Sequence, residues 1–89
     1  MTMNRDHVNA GLAAIVMTLA ETGEAREGTI YAAMMDRYSL DEFGMMIGLL
    51  KVAGMIETGL LHRVRITEKG RELANKINLF VKEERDAHR

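Results

Sequence analysis

The stretch from residue 39 to residue 56 constrains the fold most, because it carries both the start and the stop signals of one helix. Ser39 is a good N-cap, and Glu42, three residues later, completes a capping box. Gly54 follows the last residue of the helical pattern, as glycine does after many helices. The sequence therefore predicts a helix over residues 39–53.

The two sides of this predicted helix differ in kind. Phe43, Ile47 and Leu50 recur at helical spacing and form one buried stripe. At 100° per residue, the other side carries small and apolar residues where a surface helix usually has Lys, Glu and Arg. Apart from Asp41, these residues are Gly44, Met45, Gly48, Leu49 and Val52. Each helix glycine costs about 0.5–1 kcal/mol relative to alanine, so we expect another molecule to cover this face.

Hydrophobic spacing and capping residues predict the other elements. Residues 24–28 are typical of a short polar connection, and Tyr38 is expected in the core at a tight turn of about three residues. Thr67 is the expected cap of the last helix. We predict a mainly α fold with helices near 8–22, 29–37, 39–53 and 67–84 and a small β-hairpin near 55–66.

Composition limits the size and class of the protein. The 89 residues suffice for one domain, and we predict a single domain over residues 1–89 with its core at about 8–81 and frayed termini. A chain of this length buries only roughly 60–65% of its unfolded surface, so a second subunit would help to complete the core. The formal net charge of −1 gives no general basic signature for nucleic acid.

Compartment and chemistry follow from what the sequence lacks. The apolar run Ala10 to Ala20 is too short to span a bilayer, so we predict a cytoplasmic protein with no membrane partner. The absence of cysteine excludes disulfides and thiolate zinc sites. His7, His62 and His88 are scattered, with no carboxylate at ligand spacing. We therefore predict no catalytic residue, no metal and no cofactor.

Two motifs resemble those of a known superfamily. The stretch Leu49-Leu50-Lys51-Val52-Ala53-Gly54-Met55-Ile56-Glu57 resembles the "leucine-x-x-x-glycine-leucine-isoleucine" ending of recognition helices in bacterial and archaeal regulators. The stretch Arg65-Ile66-Thr67-Glu68-Lys69-Gly70-Arg71-Glu72-Leu73 resembles the "leucine-threonine-x-x-glycine" that leads from the wing into the last helix. The two motifs occur in the order and spacing that are typical of the winged helix-turn-helix superfamily, and the resemblance covers about residues 8–81. The resemblance implies a three-helix core, a wing and a C-terminal helix, with the third helix in the major groove of DNA.

The first functional hypothesis is a DNA-binding transcriptional regulator. The exposed side of the third helix lacks the Arg, Lys, Asn, Gln, Ser and Thr that read base edges, so contacts to the phosphate backbone from the wing must dominate. The candidate contacts are Arg37, Lys51, His62, Arg63 and Arg65. The alternative for Arg63 and Arg65 is an exposed strand face with ordinary solubility charges.

The second hypothesis is a winged-helix module for protein contact or dimerisation, in which a second copy or a helix of another protein covers the apolar face of the third helix. Independently, we predict a homodimer, because the first helix is apolar nearly all round and the last helix has a long apolar stripe. The candidate residues of this interface on the last helix are Ile77, Phe80 and Val81.

Overall fold

The structure is a computed structural model that describes residues 4–87. Within this range the chain is mainly helical and also forms one small antiparallel sheet. The elements in chain order are α1 (Arg5–Thr22), β1 (Glu24–Arg26), α2 (Glu27–Ala32), α3 (Leu40–Val52), β2 (Ile56–Thr58), β3 (Arg63–Ile66) and α4 (Glu68–Ala87). A short 3-10 turn, Leu60–His62, forms the tip of the β2–β3 hairpin.

Helix α3 begins and ends as predicted. The hydroxyl of Ser39 accepts the N–H of Glu42 at 3.1 Å, and the carboxylate of Glu42 accepts the N–H of Ser39 at 2.8 Å. The Ser39 backbone hydrogen bond lowers the pKa of Glu42, because it favours the ionised carboxylate. At the other end Gly54 has φ 78°, and the N–H of Met55 donates to the carbonyl of Leu50 at 2.9 Å. These bonds close α3 with a Schellman motif, whose left-handed position favours glycine.

One hydrophobic cluster holds the elements together. Helix α3 contributes its predicted stripe together with Met46, which is completely buried. Helix α1 contributes one side only, because Ala10, Ala14 and Thr18 remain exposed on it. The buried members of the cluster are Ile15, Val16, Leu19, Ile30, Met34, Tyr38, Phe43, Met46, Ile47, Leu50, Ile56, Val64, Ile66 and Ala74.

The predicted hairpin near residues 55–66 is confirmed as β2 and β3, but it is part of a three-stranded sheet. Strand β3 is central, and it pairs with β2 on one edge and with β1 on the other. Strand β1 lies in the stretch predicted to be a polar connection over residues 24–28, so that prediction is wrong. Its three residues, Glu24, Ala25 and Arg26, have no β-branched or aromatic member and no length for an alternating pattern. They become a strand because β3 offers an unpaired edge, which is a tertiary effect.

Helix α2 is shorter than the predicted range 29–37. It ends at Ala32, and residues 33–37 continue as a series of turns. The predicted three-residue joint to α3 is therefore wrong, because residues 33–39 separate the two helices. This segment brings Tyr38 into the core, as expected. The Tyr38 hydroxyl donates to the carbonyl of His7 at 2.7 Å, and the two rings stack with centroids 4.2 Å apart.

Helix α4 begins at the predicted cap and runs further than predicted. The hydroxyl of Thr67 accepts the N–H of Gly70 at 3.1 Å. Gly70 is buried, and a Cβ there would overlap the carbonyl oxygen of Met55. The helix continues to Ala87 rather than 84, so much of the tail expected to fray is helical. The expected fraying of residues 1–3 and 88–89, and the position of His88, lie outside the described residues.

The two glycines Gly70 and Gly44 should respond oppositely to alanine. We expect Gly70→Ala to lower the free energy of unfolding by about 1–3 kcal/mol, because the new methyl group meets backbone that cannot move aside. Gly44→Ala should raise it by about 0.5–1 kcal/mol, because nothing lies within 4 Å of its Cβ position. Urea unfolding midpoints measure both. Equal effects of the two substitutions would contradict the close approach of Gly70 to Met55.

Candidate interaction surface on α3 and the hairpin tip

The outer side of α3 is exposed, as the spacing predicted. Met45, Leu49 and Val52 are 41%, 48% and 91% exposed. Gly44 is exposed and Gly48 half-buried, and a Cβ added to either would have no neighbouring atom within 4 Å. Within the described residues, nothing in this chain covers the apolar face of α3.

The hairpin tip adds two exposed leucines that sequence reasoning missed. Leu60 and Leu61 are 89% and 74% exposed. Leu61 and His62 both have positive φ, 60° and 57°, a backbone conformation that costs non-glycine residues about 1–3 kcal/mol each. The sequence did carry a signal, because two leucines stand in a hairpin turn where polar residues and glycine are usual.

A groove of about 690 Å³ joins α3 to the hairpin tip. Its apolar wall is formed by Tyr31, Leu40, Phe43, Gly44 and Leu61, and its polar edge lies at residues 26–29 and His62. The exposed apolar side of α3 therefore continues onto the tip. We call this combined area the α3–tip surface and define it by Leu40, Gly44, Met45, Gly48, Leu49, Val52 and Leu61.

The two hairpin arginines are engaged by a glutamate of β1. Arg63 donates to Glu24 at 2.6 Å, and Arg65 lies 3.3 Å from the other oxygen of the same carboxylate. Glu57 on β2 approaches Arg65 from the opposite edge at 3.8 Å. The hydrogen bond from Arg63, followed by that from Arg65, holds the pKa of Glu24 below its usual value despite some opposing desolvation. Arg26 lies opposite Arg63 on the same face, so this outer face of the sheet carries three arginines against two glutamates.

The structure does not gather all five predicted phosphate contacts into one site. Arg63 and Arg65 lie together at Glu24, whereas His62 lies 3.6 Å from Glu27 at the edge of the groove. Arg37 borders a different, smaller cleft along α1, and Lys51 is exposed in the last turn of α3. Sequence reasoning could not find Glu24 as their partner, because it lies 39 residues before Arg63.

The predicted interface residues of the last helix lie on α4. Ile77 is half-buried, whereas Phe80 and Val81 are 63% and 46% exposed. They form a second exposed apolar area, built from a different element than the α3–tip surface.

Within residues 4–87, no three acidic or histidine side chains come close enough together to hold a metal ion. No helix in this range combines the length and the apolar character needed to cross a lipid bilayer. Comparison of the chain with models of known protein families, with characterised proteins and with solved structures gave no match.

The Glu24 ion pairs predict a specific response to acid. The pKa of Glu24 in the folded protein is lowered from its ordinary value of 4.5. The stabilisation by these ion pairs is therefore fully present at pH values above the ordinary pKa, and it is lost as the pH falls through the lower pKa of the folded protein. Between about pH 6 and about pH 3, the native protein should therefore lose more free energy of unfolding than Glu24→Gln does. Urea unfolding at both pH values measures the difference.

The matched control for this experiment is Glu21→Gln, which removes an exposed carboxylate from α1. It should leave the pH dependence close to that of the native protein. If Glu24→Gln and the native protein lose equal stability on acidification, Glu24 does not hold the two arginines in solution.

Proposed function

We propose that this protein is a winged helix-turn-helix module that binds another protein through its α3–tip surface. The single observation that carries the proposal is the chemistry of that surface. It is apolar at the positions where a DNA reader of this superfamily would present polar and basic side chains. Exposed apolar patches of this kind mark interaction sites.

The order of the elements supports the winged-helix part of the proposal. A strand lies between the first and second helices, α3 leads directly into the β2–β3 hairpin, and α4 follows it. The two motifs that resemble the superfamily lie at the two ends of the hairpin. In this interpretation α3 is the recognition helix and the hairpin is the wing. Fold alone does not define function, so the proposal rests on the surface itself.

The surface is best suited to an amphipathic helix as its partner. Gly44 and Gly48 lie one turn apart and let another backbone approach closely, while the groove beside Leu40 and Leu61 can accept a large apolar side chain. Exposed methionine at position 45 adapts to the shape of what it contacts. Asp41 and Lys51, at the margins of α3, would supply polar contacts at the rim.

An energy estimate indicates that helix and hairpin must act together. Given how far Met45, Leu49 and Val52 are exposed, burying the rest of them would contribute about 3–5 kcal/mol. A micromolar complex requires about 8 kcal/mol net of the entropy lost on binding. Leu61 at the tip, which is 74% exposed, adds about 2 kcal/mol. Because the entropy lost on binding has to be offset as well, the side chains of α3 alone supply less than half of the required free energy, and the partner also has to contact the groove and the hairpin tip.

A photo-crosslinking experiment tests what covers this surface. Benzoylphenylalanine placed at Met45 in the native cells should form adducts with a protein and not with DNA. Gly48→Arg in the same chain should remove those adducts, because a bulky cation would fill the place of the partner's backbone, while the fold survives at this open site. Gel mobility before and after nuclease or protease treatment identifies the adduct.

The matched control is benzoylphenylalanine at Met35, which is 62% exposed and lies outside the α3–tip surface. It should not give the same adduct. Adducts of the Met45 variant with DNA would overturn the proposal. So would a protein adduct that survives Gly48→Arg unchanged.

The second candidate is a regulator that binds duplex DNA through wing and backbone contacts. The observation in its favour is that the side chains of Arg63 and Arg65 remain 51% and 63% exposed although both contact Glu24. Surface ion pairs are weak, so a phosphate could replace the carboxylate. Arg37 and Lys51 would then assist from outside the sheet.

This candidate makes its own prediction for Glu24→Gln. If the wing binds phosphate, the substitution should strengthen binding to a generic duplex and steepen the salt dependence by about one unit, because it releases both arginines. Arg63→Ala and Arg65→Ala should each flatten the salt dependence of DNA binding by about one unit. Fluorescence anisotropy at several salt concentrations measures both, with Glu21→Gln as control. An unchanged affinity in Glu24→Gln would rule out this mode of binding.

A further inference from the structure

The second half of α4 carries apolar side chains that the rest of the described chain does not cover. Ala74 is the last α4 residue in the buried cluster, and Ile77 is half-buried. Every side chain from Asn78 to Asp86 is exposed, including Phe80 and Val81. Short helical segments without tertiary packing are marginal in water, so this segment gains most from a partner.

Beyond Leu73, which packs against the core of its own chain, the apolar stripe of α4 continues at the spacing that paired helices use. Leu73, Ile77, Phe80 and Glu84 follow one another at intervals of four, three and four residues. This is the alternation of the a and d positions of a heptad repeat, with Ile77 at a and Phe80 at d. Val81 flanks the same stripe, and Glu84 ends its apolar part.

The charges beside this stripe identify the orientation of the partner helix. Lys76 and Glu83 both occupy the g position, one heptad apart on the same edge. In an antiparallel pair, the g edges of the two helices face each other, so each Lys76 meets Glu83 of the second copy. A parallel pair would instead set Lys76 opposite Val81. The edge is therefore complementary to itself only when the helices run in opposite directions.

We propose that two copies of this chain associate through an antiparallel pairing of α4. The two-fold axis passes between Ile77 and Phe80, so that Ile77 of each copy packs against Phe80 of the other. Two reciprocal Lys76–Glu83 ion pairs flank this contact. The arrangement is isologous and closed, because each helix offers the same patch to its partner. It uses no residue of the α3–tip surface and does not depend on the proposed function.

The first experiment removes the apolar contact. Sedimentation equilibrium at tens of micromolar protein should give the mass of two chains for the native protein and of one chain for Phe80→Glu. Leu79→Glu is the matched control, because Leu79 directly precedes Phe80 and is 59% exposed but lies on the side of α4 away from Ile77. It should stay dimeric. Far-ultraviolet circular dichroism verifies that all three proteins are folded. A one-chain mass for the native protein would overturn the proposal.

The second experiment tests the orientation through the charges. Lys76→Glu makes both g positions acidic and Glu83→Lys makes both basic, so each variant alone should associate about tenfold or more weakly than the native protein. An equimolar mixture of the two should recover the native affinity as a heterodimer, because every g pair is then opposite in sign. Lys82→Glu, which changes a charge away from this edge, should have no effect.

The outcomes of the mixing experiment separate the possible geometries. Weak association of each single variant with recovery in the mixture supports the antiparallel pairing. If the single variants associate with native affinity, or if the mixture does not recover that affinity, the antiparallel pairing is contradicted even where the protein is a dimer. A failure here leaves the crosslinking result at Met45 unaffected, because the two surfaces share no residue.

Discussion

The arrangement of α3, the hairpin and α4 depends on the hydrogen bonds of Thr67, which link the end of α3 to the start of α4. Its hydroxyl donates to the carbonyl of Gly54 at 2.6 Å and accepts the N–H of Gly70, and its own N–H donates to the carbonyl of Met55 at 3.0 Å. The missing side chain of Gly70 lets α4 start directly against this backbone. Nearby, the N–H of Ile66 donates to the carbonyl of Gly23, where α1 ends. The hairpin begins and ends at this junction, and Leu61 at its tip lines the groove beside α3.

The same hairpin determines which functions the surface can support. Alternation along β3 buries Val64 and Ile66 and turns Arg63 and Arg65 outward, where Glu24 meets both. Exposed ion pairs of this kind contribute little to folding stability. Their main consequence is electrostatic, because they reduce the charge that the hairpin offers to a phosphate backbone. The neighbouring α3–tip surface keeps its exposed leucines, so this side of the molecule favours apolar contacts over contacts to phosphate.

Within residues 4–87, the two apolar areas on α3 and α4 remain uncovered because the core of a small chain is thin. One helix face can pack on the single cluster, and the remaining apolar side chains of α3 and α4 have no further layer to bury them. The two areas differ in chemistry. The α3–tip surface combines an apolar groove lined by Gly44 with the open position of Gly48 beside it, which suits a foreign helix. The end of α4 is a stripe with a self-complementary charged edge, which suits a second copy. The proposals for the two areas therefore stand on separate observations.

The sequence by itself determined those features that depend on neighbours within one turn. The capping box at Ser39, the stop at Gly54, the cap at Thr67 and the two faces of α3 follow from local hydrogen bonds and a period of 3.6 residues. Only the tertiary structure decided the rest. Strand β1 exists because the edge of β3 is free, and Glu24 meets Arg63 only because pairing brings positions 39 residues apart together. The groove between α3 and Leu61 likewise joins segments that no local pattern connects. Contacts between distant segments are set by packing and strand pairing, which leave no periodic trace in three or four residues.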